Sequence, residues 1–468
     1  MYLCEYIESF YGLRKIRRFG RSGLFINIFL FSLYSAAAAA IPPTYPSPPP
    51  NEAEDVNWRT RRDKFWCPWN SKCSKSELII KGQGTIEIMQ NVSMPFKLQL
   101  STSADRNDKS AYFITISVST DGVELTTSTG QSCRSSDYLH CLQNNDQCWH
   151  RYWISLYNGN IKYGIGEIRP YFAVLNFNLR EHDIEHAKQI QYIHVTVNNN
   201  DQMLTELDGL KENFRFYIEK KSVLYDPPLF IIPNSEYGVQ HATDHTAIPP
   251  SQLEKPCRDL YDSIINFKLN DNDFPDLTDI IEKSIKNPQG WCHRKLVEKA
   301  NRFGKPNTNA TYLRLTLGKQ EGQAPGHTFV VEIWPPGHFS PIHNHSNAYA
   351  IIRVLYGEVL LRLYPELRLN IGQHEPIEQI CHEGQITWLL PDLNQTHQLK
   401  NVNLYEKTCI TLQCYQYGVE DRRHYEYFDY IAIDKQSIGH FDPKSDMDFD
   451  LFKIRMKQEK NNIFDPSL

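Results

Sequence analysis

Three histidines in the C-terminal third of this chain are spaced as ligands of a single metal ion. Pro341-Ile342-His343-Asn344-His345 forms a His-x-His pair in an extended, apolar neighbourhood, and His397 follows about fifty residues later. Side chains two apart on a β-strand point to the same face, so we expect both imidazoles of the pair on one side. A third histidine from another strand would complete a three-nitrogen site with open coordination positions, which a catalytic metal needs and a structural metal avoids.

Length and composition limit the class of protein. The chain has 468 residues, a net charge of −5 and 41% hydrophobic residues, which is enough for roughly two or three domains. No basic stripe argues for nucleic-acid binding. Short alternating segments and scattered glycine and proline, without long heptad patterns, predict a mainly β fold.

Residues 1–40 have the pattern of a secretory signal peptide. Basic residues between Arg14 and Arg21 precede the apolar run 24–34, and alanines 36–40 supply the small side chains that signal peptidase requires. We predict a secreted or secretory-pathway protein with no membrane segment after cleavage. An uncleaved membrane anchor is the alternative. Residues 41–62 are predicted to form a Pro-rich linker.

The cysteine count bears on this location, because secretion permits disulfides. Ten cysteines follow the signal, five in each half of the chain, so we expect either a bridge between the halves or two free thiols. Asn91 and Asn309 lie in plausible glycosylation sequons. The sequons at Asn344 and Asn394 overlap or abut the histidine motifs, and we expect them to be unmodified.

Residues 63–232 show many short alternating strands joined by polar turns, a pattern typical of a β-sandwich. Within this region the segment 152–167, YWISLYNGNIKYGIGE, resembles the signature of the farnesoic-acid O-methyltransferase-like domain. The resemblance implies an extracellular β-sandwich that acts as a binding module, for a carbohydrate or a protein. No glycine-rich loop after a strand predicts binding of S-adenosylmethionine. Trp153 and Tyr163 are interpreted as core aromatics.

The pattern changes after residues 233–252, which are predicted to be a second linker. In the region 253–430, two short amphipathic helices at 259–267 and 277–285 precede a return to strands after Tyr312. This order predicts a small β-barrel preceded by helices. Residues 431–468 are predicted to be a C-terminal tail, charged and extended from residue 442.

The histidine motifs resemble the two conserved motifs of the cupins. The matching positions are Gly337, His343, His345, Gly357, Gly384, Pro391, His397 and Asn401. This resemblance implies an RmlC-like jelly-roll barrel with the histidines in its mouth. The glutamate that many cupins add as a fourth ligand is missing at 347–350. Three neutral imidazoles leave the charge of Fe(II) uncompensated, and such a site favours an anionic ligand such as a substrate thiolate.

A longer match makes the resemblance more specific. The segment 334–346, WPPGHFSPIHNHS, together with Tyr312-Leu313-Arg314 before it and Leu355-Tyr356-Gly357 after it, resembles the thiol dioxygenases, most closely cysteine dioxygenase. The resemblance covers about residues 253–430. It implies the following site: Fe(2+) bound by His343, His345 and His397, the substrate carboxylate held by Tyr312 and Arg314, and Tyr415 as the catalytic residue near the dioxygen site. Arginine suits the carboxylate role because its guanidinium forms a bidentate fork.

Two positions depart from that family. The family has a histidine two residues before its late-strand tyrosine, whereas this chain has Gln413 before Tyr415. The animal enzymes also cross-link a cysteine to the tyrosine, and the matching residue here is Ala350. Glutamine can hydrogen-bond the phenol but cannot titrate, and alanine cannot form the cross-link.

We therefore predict an iron-dependent thiol dioxygenase that converts a small thiol, with L-cysteine as the leading substrate, to its sulfinic acid with O₂. The alternative is a secreted, non-enzymatic metal-binding cupin with a carbohydrate- or protein-binding sandwich. Zinc is the alternative metal, because three histidines and a water are a familiar zinc ligand set.

Overall fold

The computed structural model describes residues 67–68, 77–91, 93–135, 149–197, 214–318, 327–345, 348–369, 375–403, 406–416, 428–441 and 443–464. The chain divides into two compact units, and the second of them, Val56–Leu468, contains every described residue. The predicted signal peptide and Pro-rich linker lie outside the described residues. Within the described ranges, every helix is too short or too polar to cross a bilayer.

Antiparallel strands and a short helix form the N-terminal part. Their bounds are β1 Cys67–Pro68, β2 Gln83–Gln90, β3 Phe96–Ser101, β4 Phe113–Ser119, β5 Gly122–Thr127, β6 Ser132–Ser135, β7 His150–Tyr157, β8 Asn160–Ile165, β9 Ala173–Asn178, α1 Glu181–Ala187, β10 Tyr192–Val197 and β11 Phe214–Glu219. One sheet has the order β1-β11-β2-β7-β8-β9, and the other has the order β10-β3-β4-β5-β6.

The two sheets pack face to face as a β-sandwich. Alternate side chains of β3 and β4, such as Leu98 and Ile116, meet Ile86 of β2 and Ile154 of β7 in one buried cluster. This is the arrangement that period-two alternation of apolar residues produces when one face of each sheet is covered. Trp153 is fully buried, which confirms its interpretation as a core aromatic, and so is Tyr163.

The C-terminal part consists of further strands and most of the helices. Their bounds are β12 Phe230–Ile231, α2 Val239–Asp244, β13 Ala247–Ile248, α3 Lys255–Ile264, α4 Leu277–Lys286, α5 Trp291–Glu298, β14 Leu313–Thr316, β15 His327–Trp334, β16 Tyr349–Tyr356, β17 Glu358–Tyr364, β18 Ile377–His382, β19 Ile386–Leu389, β20 Thr396–Lys400, β21 Cys409–Gln416, β22 Phe428–Ile431, β23 Ile438–Phe441, β24 Met447–Asp448 and α6 Phe449–Glu459.

A large sheet and a small one enclose the interior of this part. The large sheet has the order β13-β12-β19-β16-β21-β15-β14-β24, the small one has the order β18-β17-β20, and β22 pairs with β23. On the inner face, Trp334 and Val354 of the large sheet contact Leu361 and Leu399 of the small one. On the outer face, side chains such as Leu313 pack against the helices. The fold is therefore mainly β, a sandwich followed by a jelly-roll barrel with helices before and beside it.

The helices cover the outer face because their apolar residues recur at helical spacing. In α3, Cys257, Leu260, Tyr261 and Ile264 are buried and lie on one side of the helix. The helix begins a few residues before its predicted start, whereas α4 occupies the predicted position and extends one residue further.

Two segments outside the predicted domains are ordered parts of the barrel. The segment predicted as the second linker forms α2 and β13, and β13 continues the large sheet beyond β12. The expectation of an extended C-terminal tail is wrong, because β24 pairs with β14 and α6 follows it. In α6, Phe449, Phe452 and Met456 are buried against the barrel, and these three apolar residues are spaced by three and four.

Of the two alternatives for the cysteines, the disulfide between the two halves is wrong, and free thiols are observed. The thiols of the C-terminal half are all unpaired and buried, and Cys133 is unpaired as well. The unpaired residues of that half are Cys257, Cys292, Cys381, Cys409 and Cys414. They behave as small apolar side chains in the core of the barrel, and burial raises the pKa of each thiol.

Candidate metal centre

The first two histidines of the cluster stand on an extended segment between strands, not within a strand as the sequence suggested. His343 forms an isolated bridge with His397 on one side and with Tyr430 on the other. The backbone N–H of His343 donates to the carbonyl of His397 at 3.0 Å, and the reverse bond measures 2.9 Å. His345 lies shortly before β16, and His397 lies in β20. The segment is therefore held between two strands, which brings the three imidazoles together.

The three imidazole rings converge on one point. Their ring centroids are 4.7–4.8 Å apart, and the nitrogens that could bind an ion all lie within 4.8 Å of one another. The Nε2 atoms of His345 and His397 are 3.2 Å apart. Two nitrogens that share an ion at about 2.1 Å lie roughly 3.0–3.4 Å from each other. The geometry therefore suits a shared metal ion, as the spacing of the motifs predicted.

Backbone carbonyls fix the tautomers of two of the rings. Nδ1 of His343 is 3.0 Å from the carbonyl of Pro341, and Nδ1 of His397 is 3.2 Å from the carbonyl of Asn394. Because a carbonyl can only accept, each Nδ1 carries the proton and each Nε2 keeps its lone pair for a metal. Nδ1 of His345 is buried and has no hydrogen-bond partner among the described residues.

Burial keeps all three imidazoles neutral at physiological pH. It lowers the pKa of His343 to about 4 and that of His397 to about 3, and it lowers the pKa of His345 well below its ordinary value. The neighbouring rings lower the pKa of His345 and His397 further, and Arg314 lowers the pKa of His343 and His345. A metal binds only unprotonated imidazole, so the cluster is in the form that an ion requires.

Arg314 lies beside this cluster, but an acid already compensates its charge. Arg314 of β14 faces Glu332 of β15 in register, and its Nη1 donates to Oε1 of Glu332. Arg314 is 4% exposed and Glu332 is 3% exposed, so the pair is buried. The sequence analysis missed Glu332. The sequence feature that could have identified Glu332 is its place in a buried strand, where it shares the inward face with Val330 and Trp334.

A chain of hydrogen bonds runs from this ion pair to Tyr415. Nε2 of Gln413 donates to Oε2 of Glu332 at 2.6 Å, and the Tyr415 hydroxyl donates to Oε1 of Gln413. An ionised carboxylate only accepts, which turns the amide oxygen of Gln413 toward the phenol. Burial raises the pKa of Tyr415 well above its ordinary value, with a further rise from the charge of Glu332, so the phenol stays protonated.

The ring of Tyr415 lies against the metal cluster. It stacks on His345 with centroids 5.0 Å apart and planes 15° apart. Ala350 is the direct cross-strand partner of Tyr415, so a small side chain lies opposite this tyrosine. Phe428 also packs on His345, at a centroid distance of 4.7 Å, and lies 6.1 Å from the ring of Tyr415. The sequence analysis did not identify Phe428, because no motif connects it to the histidines.

Tyr312 lies within an aromatic group. Its ring stacks on Trp334 at 4.2 Å and on Phe303 at 6.4 Å, and Nζ of Lys299 lies 5.2 Å from the ring centroid. Burial raises the pKa of Tyr312. The charge of Glu332 raises this pKa further, and the charge of Arg314 lowers it. Tyr312 is thus close to the ion pair, with an aromatic side chain that is largely surrounded by core residues.

Comparison with known proteins gives partial matches. No protein-family model matches the sequence. An oxalate oxidase structure aligns with 19% of this chain and 41% of its own, at 20% identity and a TM-score of 0.16. A protein with a double-stranded β-helix domain from Klebsiella pneumoniae aligns with 26% of this chain and 88% of its own, at 18% identity and a TM-score of 0.19. The Cupin_2 domain of an XRE family transcriptional regulator from Enterobacter cloacae aligns with 23% and 97%, at 14% identity and a TM-score of 0.18.

The alignment with this protein covers less than half of the length of the oxalate oxidase chain. The arrangement of the barrel itself is more informative: two sheets around one interior, with His343, His345 and His397 converging between them. The C-terminal part has a jelly-roll barrel fold, as the sequence predicted. Its histidine cluster is a site that could hold a metal ion.

Proposed function

We propose that this protein is an iron(II)-dependent thiol dioxygenase. The reaction is RSH + O₂ → RSO₂H, in which both oxygen atoms enter the sulfinic acid and no further reductant is needed. The observation that carries the proposal is the convergence of His343, His345 and His397 beside the buried phenol of Tyr415. Fe(2+) is the proposed ion, and L-cysteine is the proposed substrate.

The residues present suit this ion. Bound iron(II) would supply a Lewis acid at which a thiol loses its proton, together with redox chemistry toward dioxygen. The three imidazoles are neutral, so the ligand set leaves the positive charge of the ion for an anionic thiolate. His345 and His397 are each 1% exposed, and Phe428 packs on His345, which keeps bulk water away from this side of the site.

Arg314 would bind a substrate carboxylate while it is still paired with Glu332. Its Nε has no hydrogen-bond partner among the described residues and is free to donate. The net charge of the Arg314–Glu332 pair is nevertheless near zero, so the attraction for a carboxylate is weaker than an unpaired arginine would give. The choice between cysteine and a thiol without a carboxylate therefore depends on Glu332.

Tyr415 would position the reactants through its oxygen. Its proton is directed to Gln413 and the phenol oxygen accepts from Arg314, which leaves one lone pair for a further contact. Gln413 has no titratable proton, and it holds Tyr415 in one orientation without a proton relay. This arrangement supports a positioning role for Tyr415, and not a role as an acid.

Metal analysis and oxygen uptake test the proposal together. Purified protein would be analysed for iron and zinc and then placed in an oxygen electrode with cysteine, 3-mercaptopropionate or cysteamine. We expect bound iron and uptake that requires a thiol, and His397→Gln should abolish both. Iron without thiol-dependent uptake from any of the three would instead favour a non-enzymatic metal-binding cupin.

We further propose that the chain enters the secretory pathway and that its sandwich binds a carbohydrate or protein partner. The support is the N-terminal sequence pattern and the resemblance of segment 152–167 to an extracellular module. Mass spectrometry of protein from the culture medium of expressing cells would give the mature N-terminus. Retention in the cytosol with an intact N-terminus would contradict the proposed location.

A further inference from the structure

The sandwich and the cupin meet at a seam beside the metal centre. The backbone N–H of Glu167, at the end of the sandwich signature, donates to the carbonyl of Pro365 in the cupin at 2.7 Å. The Tyr171 hydroxyl donates to the carbonyl of Pro376 at 3.3 Å. These contacts join residues about 200 positions apart, so the two parts form one packed body at this point.

A close approach of backbones requires the glycine that precedes Glu167. Gly166 has φ +67°, and a Cβ built there would lie 2.3 Å from the Pro365 carbonyl oxygen. Only glycine fits a contact this short without moving the chains apart. The end of the signature, which the proposed enzymatic function does not use, therefore contacts the cupin.

Asn394 connects the sandwich and the cupin at this seam. Its backbone N–H donates to Oε2 of Glu167 at 2.6 Å, and its side-chain Oδ1 accepts from Nη2 of Arg169 at 2.7 Å. On the cupin side, its Nδ2 donates to the carbonyl of Trp388 at 2.8 Å, and its own carbonyl faces Nδ1 of His397 at 3.2 Å. Every polar group of Asn394 is thus engaged, two with the sandwich and two with the cupin.

The residues that hold Asn394 are buried and fixed. Glu167 is 6% exposed, Arg169 is 1% exposed and Asn394 is 1% exposed, and Glu167 and Arg169 form an ion pair. Asn394 has φ +59°, a left-handed conformation that asparagine tolerates better than most residues. The position of its carbonyl is therefore determined by contacts that come in part from the sandwich.

We infer that Glu167 and Arg169 of the sandwich are positioning residues for the metal ligand His397, acting through Asn394. A ligating histidine is oriented by the group that accepts its second N–H, and loss of such a partner weakens metal binding. The inference rests on the proposed metal centre. It assigns to the sandwich a role in building that centre, beyond any ligand the sandwich binds itself.

The test is metal affinity of the full chain, measured with Co(II) against a chromophoric chelator, together with the Co(II) absorption spectrum. The variant E167Q/R169M removes both charges at once, so that no single buried charge is left unpaired. We expect about 10–100-fold weaker binding and an altered spectrum. The matched control is E87Q/R151M, a buried ion pair between β2 and β7 of the sandwich, which has no described hydrogen bond to Asn394 and should bind like wild type.

A second variant covers failure of the double variant to fold. Asn394→Gly retains the left-handed backbone and the carbonyl but removes both side-chain bonds, and we expect several-fold weaker Co(II) binding. Wild-type affinity and spectrum in either folded seam variant would overturn the inference, as would an equal loss in the control. A wild-type protein that binds no Co(II) or Fe(II) would instead remove the proposed metal centre itself, and the inference with it.

Discussion

Arg314 and Glu332 face each other on β14 and β15 and form a buried ion pair next to the metal cluster. The resemblance to cysteine dioxygenase implied that Arg314 clamps a substrate carboxylate. In the structure, Glu332 accepts a hydrogen bond from the Arg314 guanidinium and another from the side-chain amide of Gln413. Glu332 therefore reduces the net positive charge that Arg314 would present to a bound carboxylate.

Glu332→Gln should change the substrate preference. The change leaves the positive charge of Arg314 uncompensated, so the KM for cysteine and 3-mercaptopropionate should fall, while the KM for cysteamine should not. Steady-state oxygen uptake with the three thiols measures this. Equal shifts for all three substrates would mean that Arg314 does not contact the carboxylate. Some loss of stability is expected, because removal of one member of a buried pair costs about 3–5 kcal/mol.

Tyr415→Phe should separate catalysis from metal binding. The ring still stacks on His345, so Fe(II) affinity should stay at the wild-type value. Loss of the phenol oxygen should lower kcat by roughly tenfold or more, which corresponds to one hydrogen bond of about 1.4 kcal/mol. Tyr364→Phe, another buried tyrosine of the barrel, serves as the control. An unchanged kcat in the Tyr415 variant would assign this side chain to packing alone.

Gly166→Ala should destabilise the seam. The added methyl group meets the Pro365 carbonyl, and forced overpacking of this kind costs about 1–3 kcal/mol. Gly130→Ala is the matched control, because Gly130 also has a positive φ, +86°, but has nothing within 4 Å of an added Cβ. The unfolding free energies of both variants, measured in urea, separate the steric clash from the cost of placing alanine at a positive φ. Equal destabilisation of the two would show that the seam tolerates the methyl group.

Glu167 should make the stability of the protein pH-dependent. Burial raises its pKa to about 7 from an ordinary 4.5, while Arg169 and the Asn394 N–H oppose the rise and Asp392 adds to it. The folded chain then binds more protons than the unfolded chain between these values, so the contribution of Glu167 to stability falls as the pH rises through that range.

The measurement is the difference in unfolding free energy between wild type and Glu167→Gln, which cannot titrate. We expect the wild type to lose stability relative to the variant from about pH 4.5 to about pH 7, and the difference to be level above that range. A difference independent of pH would mean that Glu167 keeps its ordinary pKa in the folded protein.

The sequence predicted the presence of most strands, because their residue types favour a β conformation. The return to strands after Tyr312 was predicted, and β15 and β17 lie in that region, where β-branched, leucine and aromatic residues are frequent and turn residues flank the strands. The prediction that His343 and His345 lie within a β-strand was wrong. Their segment is extended because His343 forms isolated bridges with residues far away in the sequence, which the local residue pattern does not reveal.

Contacts across long separations were not predictable from local pattern. Asn394 and Glu167 are 227 positions apart, and neither residue type signals a partner in sequence. The helix α6 was missed because charged residues are interspersed with its apolar ones, and two of the apolar residues, Leu451 and Ile454, are exposed. The metal cluster was predictable because its residue types are rare and its spacing is specific.

The central claim is that a metal held by His343, His345 and His397 adds both atoms of O₂ to a thiol. The most direct measurement is mass spectrometry of the product formed from cysteine by the iron-loaded protein under ¹⁸O₂. We predict a sulfinic acid that carries two ¹⁸O atoms and is absent when His397 is replaced by Gln. Formation of only the disulfide, or of no oxidised product by an iron-loaded wild type, would contradict the account.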